Sequence, residues 1–221
     1  MADNTSRMIA LLGAMRKQMN GAVADAMRYY GKKYGLNYGV SLPTLRSIAG
    51  EEEQDYSLAQ YLYKQQVREL RLAALHIAQA EALTIDEAPF WAEGVINSEV
   101  AEEMAFTLLG KAADAKLIIT EWSRSEDKFL AYAALMAAAR HSANIDQKLI
   151  TESATIAERF PASRIIAQGI VAMLTAAHSN NIERESIKVT ANKIKEAATA
   201  QNEGFATAQY IAEELEWRLD V

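Results

Sequence analysis

The chain has 221 residues, half of them hydrophobic and 24% charged, and carries a net charge of −6. That length can bury a sizeable core, and the negative balance argues against a general polyanion binder. The sequence contains no cysteine, which excludes disulfides and thiolate-based metal sites or catalysis; a reducing compartment is allowed, and the cytoplasm is the default expectation.

Helix signals recur from one end to the other with short polar breaks between them, and no low-complexity linker divides them. An opening helical pair is expected over about residues 6–19 and 22–33, followed by the turn Tyr34-Gly35-Leu36-Asn37-Tyr38-Gly39. Ser41 then suits an N-cap with Pro43 in the first turn, where a missing N–H costs little. Ser57 is expected to start another helix, and the polar pair Gln65-Gln66 to separate it from a helix over 67–80. In that helix Val67, Leu70, Ala74, Ile77 and Ala78 follow a 3.6-residue period. Thr84 and Glu87 have capping-box spacing, with Pro89 in the first turns of the helix they would open. Asn97 or Ser98 opens the next, which runs to Gly110. Asp114 opens a short helix to Trp122, and Ser125 a long one to Arg140. Further starts fall at Asn144 and Ser163, and the last two helices are expected over 183–201 and 205–219.

Nothing alternates as a β-strand does. The second helices of successive pairs begin near residues 67, 98, 125 and 163, a spacing typical of helical-hairpin repeats of the HEAT and armadillo type. Residues 129–139 and 165–174 are apolar nearly all round, as helices covered on most sides must be, whereas 183–201 is polar enough for a terminal repeat. The expectation is an all-α stack of antiparallel helix pairs, a HEAT-like superhelix, read as a single domain over 1–221. The first 21 residues lack a sustained apolar core ending in a small-residue cleavage site. No later run reaches the roughly 18 apolar residues of a membrane span, so no membrane partner is expected.

Charge is unevenly spread: residues 1–50 carry +5 and the rest −11. The run Arg28-Tyr29-Tyr30-Gly31-Lys32-Lys33-Tyr34 mixes cations with aromatic rings, which suits phosphate contact and base stacking. It would equally suit a helix end whose tyrosines pack inward while its lysines offset the dipole. Glu102, with Glu99 and Glu103 beside it, could stabilise a cationic sugar or simply complete an acidic helix start. Trp91 and Trp122 lie in apolar stretches and read as packing residues. His76, His141 and His178 lack metal-ligand or catalytic-triad spacing, no phosphate-binding glycine motif occurs, and neither cofactor nor metal is expected.

Three stretches together resemble the AlkD-type DNA alkylation-repair family. Asp25-Ala26-Met27-Arg28-Tyr29-Tyr30 leading to Gly39-Val40-Ser41-Leu42-Pro43-Thr44-Leu45-Arg46 is similar to its Met-x-x-Tyr helix and Gly-aliphatic-x-x-Pro-x-x-Arg turn. Arg68-Glu69-Leu70-Arg71 is similar to an acidic-apolar-Arg helix start, and Trp122 to Leu130 fits a Trp-x-x-Ser-x-x-x-aromatic-aliphatic pattern. The resemblance implies duplex DNA held in a basic concave groove and loss of N3- or N7-alkylated purines. In that reaction the alkylated base is already a cationic leaving group, so a carboxylate and aromatic faces suffice to steady the sugar. Aligned residue by residue, Glu102 stands where the family has its catalytic Asp, and Ser98 where it has a Trp. Tyr132 stands at a groove Arg, Ala172 at a second Trp and Thr175 at a basic position. With those clamps replaced, the expectation is DNA binding with weak or absent excision. Glu102 would be the catalytic group, and Arg28, Lys32, Lys33, Arg46, Arg124 and Tyr132 the DNA contacts. The competing expectation is a helical-repeat scaffold that binds a protein partner.

Overall fold

Helix starts in this chain are set by short acceptor side chains. In the computed structural model, which describes residues 3–199 and 206–219, Asp3 accepts from the Ser6 N–H at the start of α1 (Asn4–Arg16), and Asn20 from Val23 in α2 (Gly21–Tyr29). Ser41 caps α3 (Leu42–Ala49) as expected, accepting from Thr44, with Pro43 in the first turn. Several expected caps move by one or two residues onto a carboxylate. Asp55, not Ser57, caps α4 (Tyr56–Tyr63), whereas Asn97, one of the two residues expected there, caps α7 (Ser98–Thr107). Asp127, not Ser125, caps α9 (Lys128–Arg140), and Asp146, not Asn144, caps α10 (Gln147–Arg159). Each of these positions offers an oxygen at extended backbone geometry just before the first helical residue. The capping box at Thr84 does not form: Glu87 instead accepts from Gln60 Nε2 at 2.7 Å, and the short α6 (Ala88–Ala92) carries Pro89 in its first turn.

Two helices end on a residue in the left-handed conformation, and for α2 that comes earlier than expected. Gly31 (φ 79°) follows α2; its N–H bonds Arg28 O and the Lys32 N–H bonds Met27 O, which closes the helix well before Lys33. Asn181 (φ 56°) does the same after α11 (Arg164–Ser179), with Ile182 N bonded to Ala177 O. The remaining helices are α5 (Arg68–Ile77), α8 (Ala115–Ser123), α12 (Arg184–Thr199) and α13 (Thr207–Leu219). The expected end at Gln201 and start at Phe205 lie outside the described residues. Among the described residues there is no strand, only one isolated bridge between Leu36 and Val67.

The chain forms two compact units, Met1–Ala113 and Asp114–Val221. In the first, α4 and α5 make a hairpin, α1 lies on α3, α4 and α5, and α3, α5 and α7 follow one another side by side. Trp91 is fully buried, donates to Tyr56 Oη at 2.9 Å, and lies 4.6 Å from the Tyr63 ring, so it is a packing residue as expected. In the second unit two layers are plain. Helices α9, α11 and α13 stack in one, α8, α10 and α12 in the other, and successive hairpins α8/α9, α10/α11 and α12/α13 cross between them. That is how helical-hairpin repeats bury apolar helices from several sides. Gly169 lets α9 approach α11 closely: a Cβ there would stand 3.1 Å from the Tyr132 ring. Trp122 is buried as well.

Candidate nucleic-acid interface

The cation–aromatic run after α2 divides at Gly31 and the turn behind it. Tyr29 and Tyr30 are 84% and 78% exposed, with rings 5.2 Å apart in an edge-to-face arrangement. Arg28 is open to solvent, with a 3.5 Å contact to Asp25, and Lys33 is exposed. Tyr34 points inward, donating to Glu99 Oε2 at 2.6 Å and to Asn97 Oδ1 at 3.2 Å. Of the two sequence readings, the outward one holds for Arg28, Tyr29, Tyr30 and Lys33 and the inward one for Tyr34, while Lys32 is half-buried near Glu99.

Behind this end lies a buried ionic network that the sequence reading missed. Arg68 is fully buried; its guanidinium donates to both Glu99 oxygens at 2.9 and 2.7 Å, to Glu69 at 3.0 Å and to Val40 O at 2.8 Å. Glu69 in turn accepts from the Tyr38 and Val40 N–H groups, so the 34–40 turn is fastened to α5 and α7. Burial tends to raise the pKa of Glu99, but the bond and charge of Arg68, the Tyr34 bond and the charge of Lys32 outweigh it. The carboxyl is held below its usual range. Gly39 (φ 70°) completes the turn; a Cβ there would overlap Asn20 O. The available sequence signal was three charged residues, Arg68, Glu69 and Arg71, on a helix start that is otherwise apolar.

Other expected site residues are engaged within the protein. Arg46 donates to Glu103 at 2.5 and 3.4 Å, and His76 Nε2 lies 2.8 Å from the same carboxylate. Glu103 is 2% exposed. Burial would raise its pKa, yet the bonds from His76 and Arg46 together hold it below the usual range. Glu102, the expected catalytic group, is the half-exposed neighbour of this buried carboxylate. Arg124, in the second unit, is about half exposed and donates to Glu152 at 2.5 and 3.2 Å. Tyr132 is 4% exposed on α9. It lines a cavity of about 520 Å³ together with Ala172 and Thr175 of α11. Three positions picked out by the resemblance in the second unit therefore converge on one hollow. Among the described residues no cluster of His, Asp and Glu could hold a metal ion.

A family model described as DNA alkylation repair enzyme matches residues 11–204. The chain belongs to the DNA alkylation repair enzyme family. A solved structure of a protein described as one of a new family related to the HEAT-like repeat DNA glycosylases, with affinity for branched DNA structures, superposes with a TM-score of 0.68. It is 15% identical, and the match covers 99% of this chain and 96% of that one. The fold is thus HEAT-like. A comparison with curated proteins finds no match. In this member of the alkylation-repair family, the motif arginine of the Pro43-Thr44-Leu45-Arg46 turn faces Glu103 of its own chain. The described residues contain no helix long and apolar enough to cross a membrane.

Proposed function

We infer that this alkylation-repair family member binds DNA where the double helix is interrupted, and that it does so without excising bases. The observation that carries the reading is the pair of outward tyrosines, Tyr29 and Tyr30, flanked by Arg28, Lys32 and Lys33. A tyrosine ring can stack only on a base face that no neighbouring base pair covers, and such faces occur at junctions, gaps and single-stranded arms. The cations beside it supply phosphate contacts that carry no sequence information. The affinity of the structural neighbour for branched DNA supports the same choice, and with family membership it favours nucleic acid over a protein partner.

The non-excising part rests on the residues that replace the clamps. Glu102 is a carboxylate, but Ser98, Ala172 and Thr175 supply neither ring nor charge at the positions where the resemblance calls for them. Arg46 and Arg124 are bonded to Glu103 and Glu152. Fluorescence anisotropy against a three-way junction and a fully paired duplex tests the binding. Replacing both Tyr29 and Tyr30 by serine is expected to weaken junction binding about tenfold or more, from ~1–3 kcal/mol per stacked base. Unchanged affinity would remove this surface from the interface. Methylated duplex should release no alkylated base; release that disappears in Glu102→Ala would overturn the non-excising reading and make Glu102 the catalytic carboxylate.

A further inference from the structure

Two arginines at the start of α5 are buried, and only one of them has a counter-ion. Arg68 is matched by Glu69 and Glu99. Arg71, nearly one turn on, is 5% exposed, yet among the described residues it has no carboxylate partner. Its Nε and Nη2 reach the carbonyl oxygens of Tyr63 and Gln65 at 3.4 and 3.5 Å, the outer limit of a hydrogen bond. Its Nη1 makes no hydrogen bond among the described residues and keeps some access to solvent. A buried guanidinium in that condition is costly, and an anion placed beside it would offset the cost.

The side chain lines a hollow of about 150 Å³ between the end of α4, the 65–67 link and α6. The wall is built around Tyr63, whose ring lies 5.8 Å from the Arg71 guanidinium carbon and 6.0 Å from the Phe90 ring. The Tyr63 hydroxyl is fixed by donation to Trp91 O at 2.8 Å, and Gly94 makes room for the ring, since a Cβ there would stand 2.2 Å from it. Lys64 brings a second cation, its Nζ 5.3 Å from the centre of the Phe90 ring. The Gln66 amide adds a neutral donor at the rim, and Glu93 is the one carboxylate there. Arg71 and Lys64 against Glu93 leave the hollow with a charge of +1. Its volume falls below the roughly 300–1,000 Å³ of small-molecule pockets, so it suits one charged group and not a whole organic molecule.

We propose that this hollow is an anion site that takes a single phosphate group on the free end of Arg71. A guanidinium presents paired donors that match two oxygens of such a group. Lys64 and Gln66 come from other segments, and the remaining oxygens of a tetrahedral anion can meet them, whereas a carboxylate offers only two oxygens in one plane. The site shares no residue with the Tyr29–Tyr30 surface, and it stands whether or not that surface binds DNA.

The test titrates inorganic phosphate into the full chain at constant ionic strength, with chloride as the balancing anion and acetate as the control. It follows the Arg71 Nε–H resonance, assigned through Arg71→Met. The expected result is a saturable shift with phosphate and weaker binding of acetate. Phosphate should also raise the melting temperature of the unsubstituted chain and leave that of Arg71→Met unmoved. Affinity is expected to fall about threefold in Lys64→Ala and to rise about threefold in Glu93→Gln, the size of an exposed charge interaction. A three-way junction distinguishes the source of the group. Junction binding that phosphate displaces and Arg71→Met weakens assigns the site to a phosphodiester; junction binding indifferent to both assigns it to free phosphate or a monoester. Acetate binding as tight as phosphate overturns the phosphate assignment. No saturable shift, or a shift indifferent to Lys64 and Glu93, overturns the site and leaves Arg71 as a cap on the end of α4.

Discussion

Arg68 owes its place to two carboxylates, and each side of that arrangement makes a prediction. Replacing Glu99 by leucine leaves a fully buried guanidinium short of two hydrogen bonds, which is expected to cost about 3–5 kcal/mol in urea denaturation. An effect under about 1 kcal/mol would mean that water reaches the site. Acid should act through the same groups. Glu99 and Glu103 both have carboxyl pKa values lowered from the ordinary 4.5 despite burial, by Arg68 in one case and by His76 and Arg46 in the other. A carboxyl with a depressed folded-state pKa contributes stability above its unfolded value and loses it as pH falls through the folded value. Denaturation midpoints should therefore drop from about pH 4.5 downward, and Glu103→Gln should flatten that drop. A drop of the same steepness in the variant would show that other groups control acid unfolding. None of these pairings was legible in the chain: Arg68 and Glu99 are 31 residues apart, and only folding tells which charged residue on an apolar helix is turned inward.

Helix identity comes from local chemistry, whereas helix starts depend on which of several nearby acceptors reaches an N–H. Asp55 serves α4 from two directions, accepting from Leu58 N at 3.0 Å and from Arg7 at 2.6 Å, while Ser57 only meets Asn4 at the surface. Asp55→Ala is expected to lower stability by about 1–2 kcal/mol and Ser57→Ala by less than about 0.5, measured by thermal melting. The reverse order would restore the start read from the sequence alone. The apolar character of 129–139 and 165–174 did announce α9 and α11, as did the repeat spacing: α5, α7, α9 and α11 begin at Arg68, Ser98, Lys128 and Arg164. What periodicity could not reveal was the early end of α2, because Gly31 differs from a helical residue only in its φ. That single turn decides which aromatic rings face solvent and which, like Tyr34, turn inward.

For the whole molecule the question is how a chain of net charge −6 meets a polyanion. A local contact through Arg28, Lys32 and Lys33 neutralises about three phosphates, so log K should fall against log salt with a slope of about −2 to −3. A slope steeper than about −5 would point to the extended groove contact implied by the family resemblance instead. The family and the fold class could be read from ordered motifs and spacing. The site could be read only in part, since a motif gives residue types and not the direction in which their side chains point.

Arg46 makes that difference concrete. It completes the Pro-x-x-Arg turn, yet it is clasped by the carboxylate of Glu103 with His76 alongside. Half of its side chain stays open to solvent, so the same guanidinium neutralises a buried carboxylate on one side and faces water on the other. A motif arginine can thus be kept for the charge behind it as much as for any phosphate in front of it.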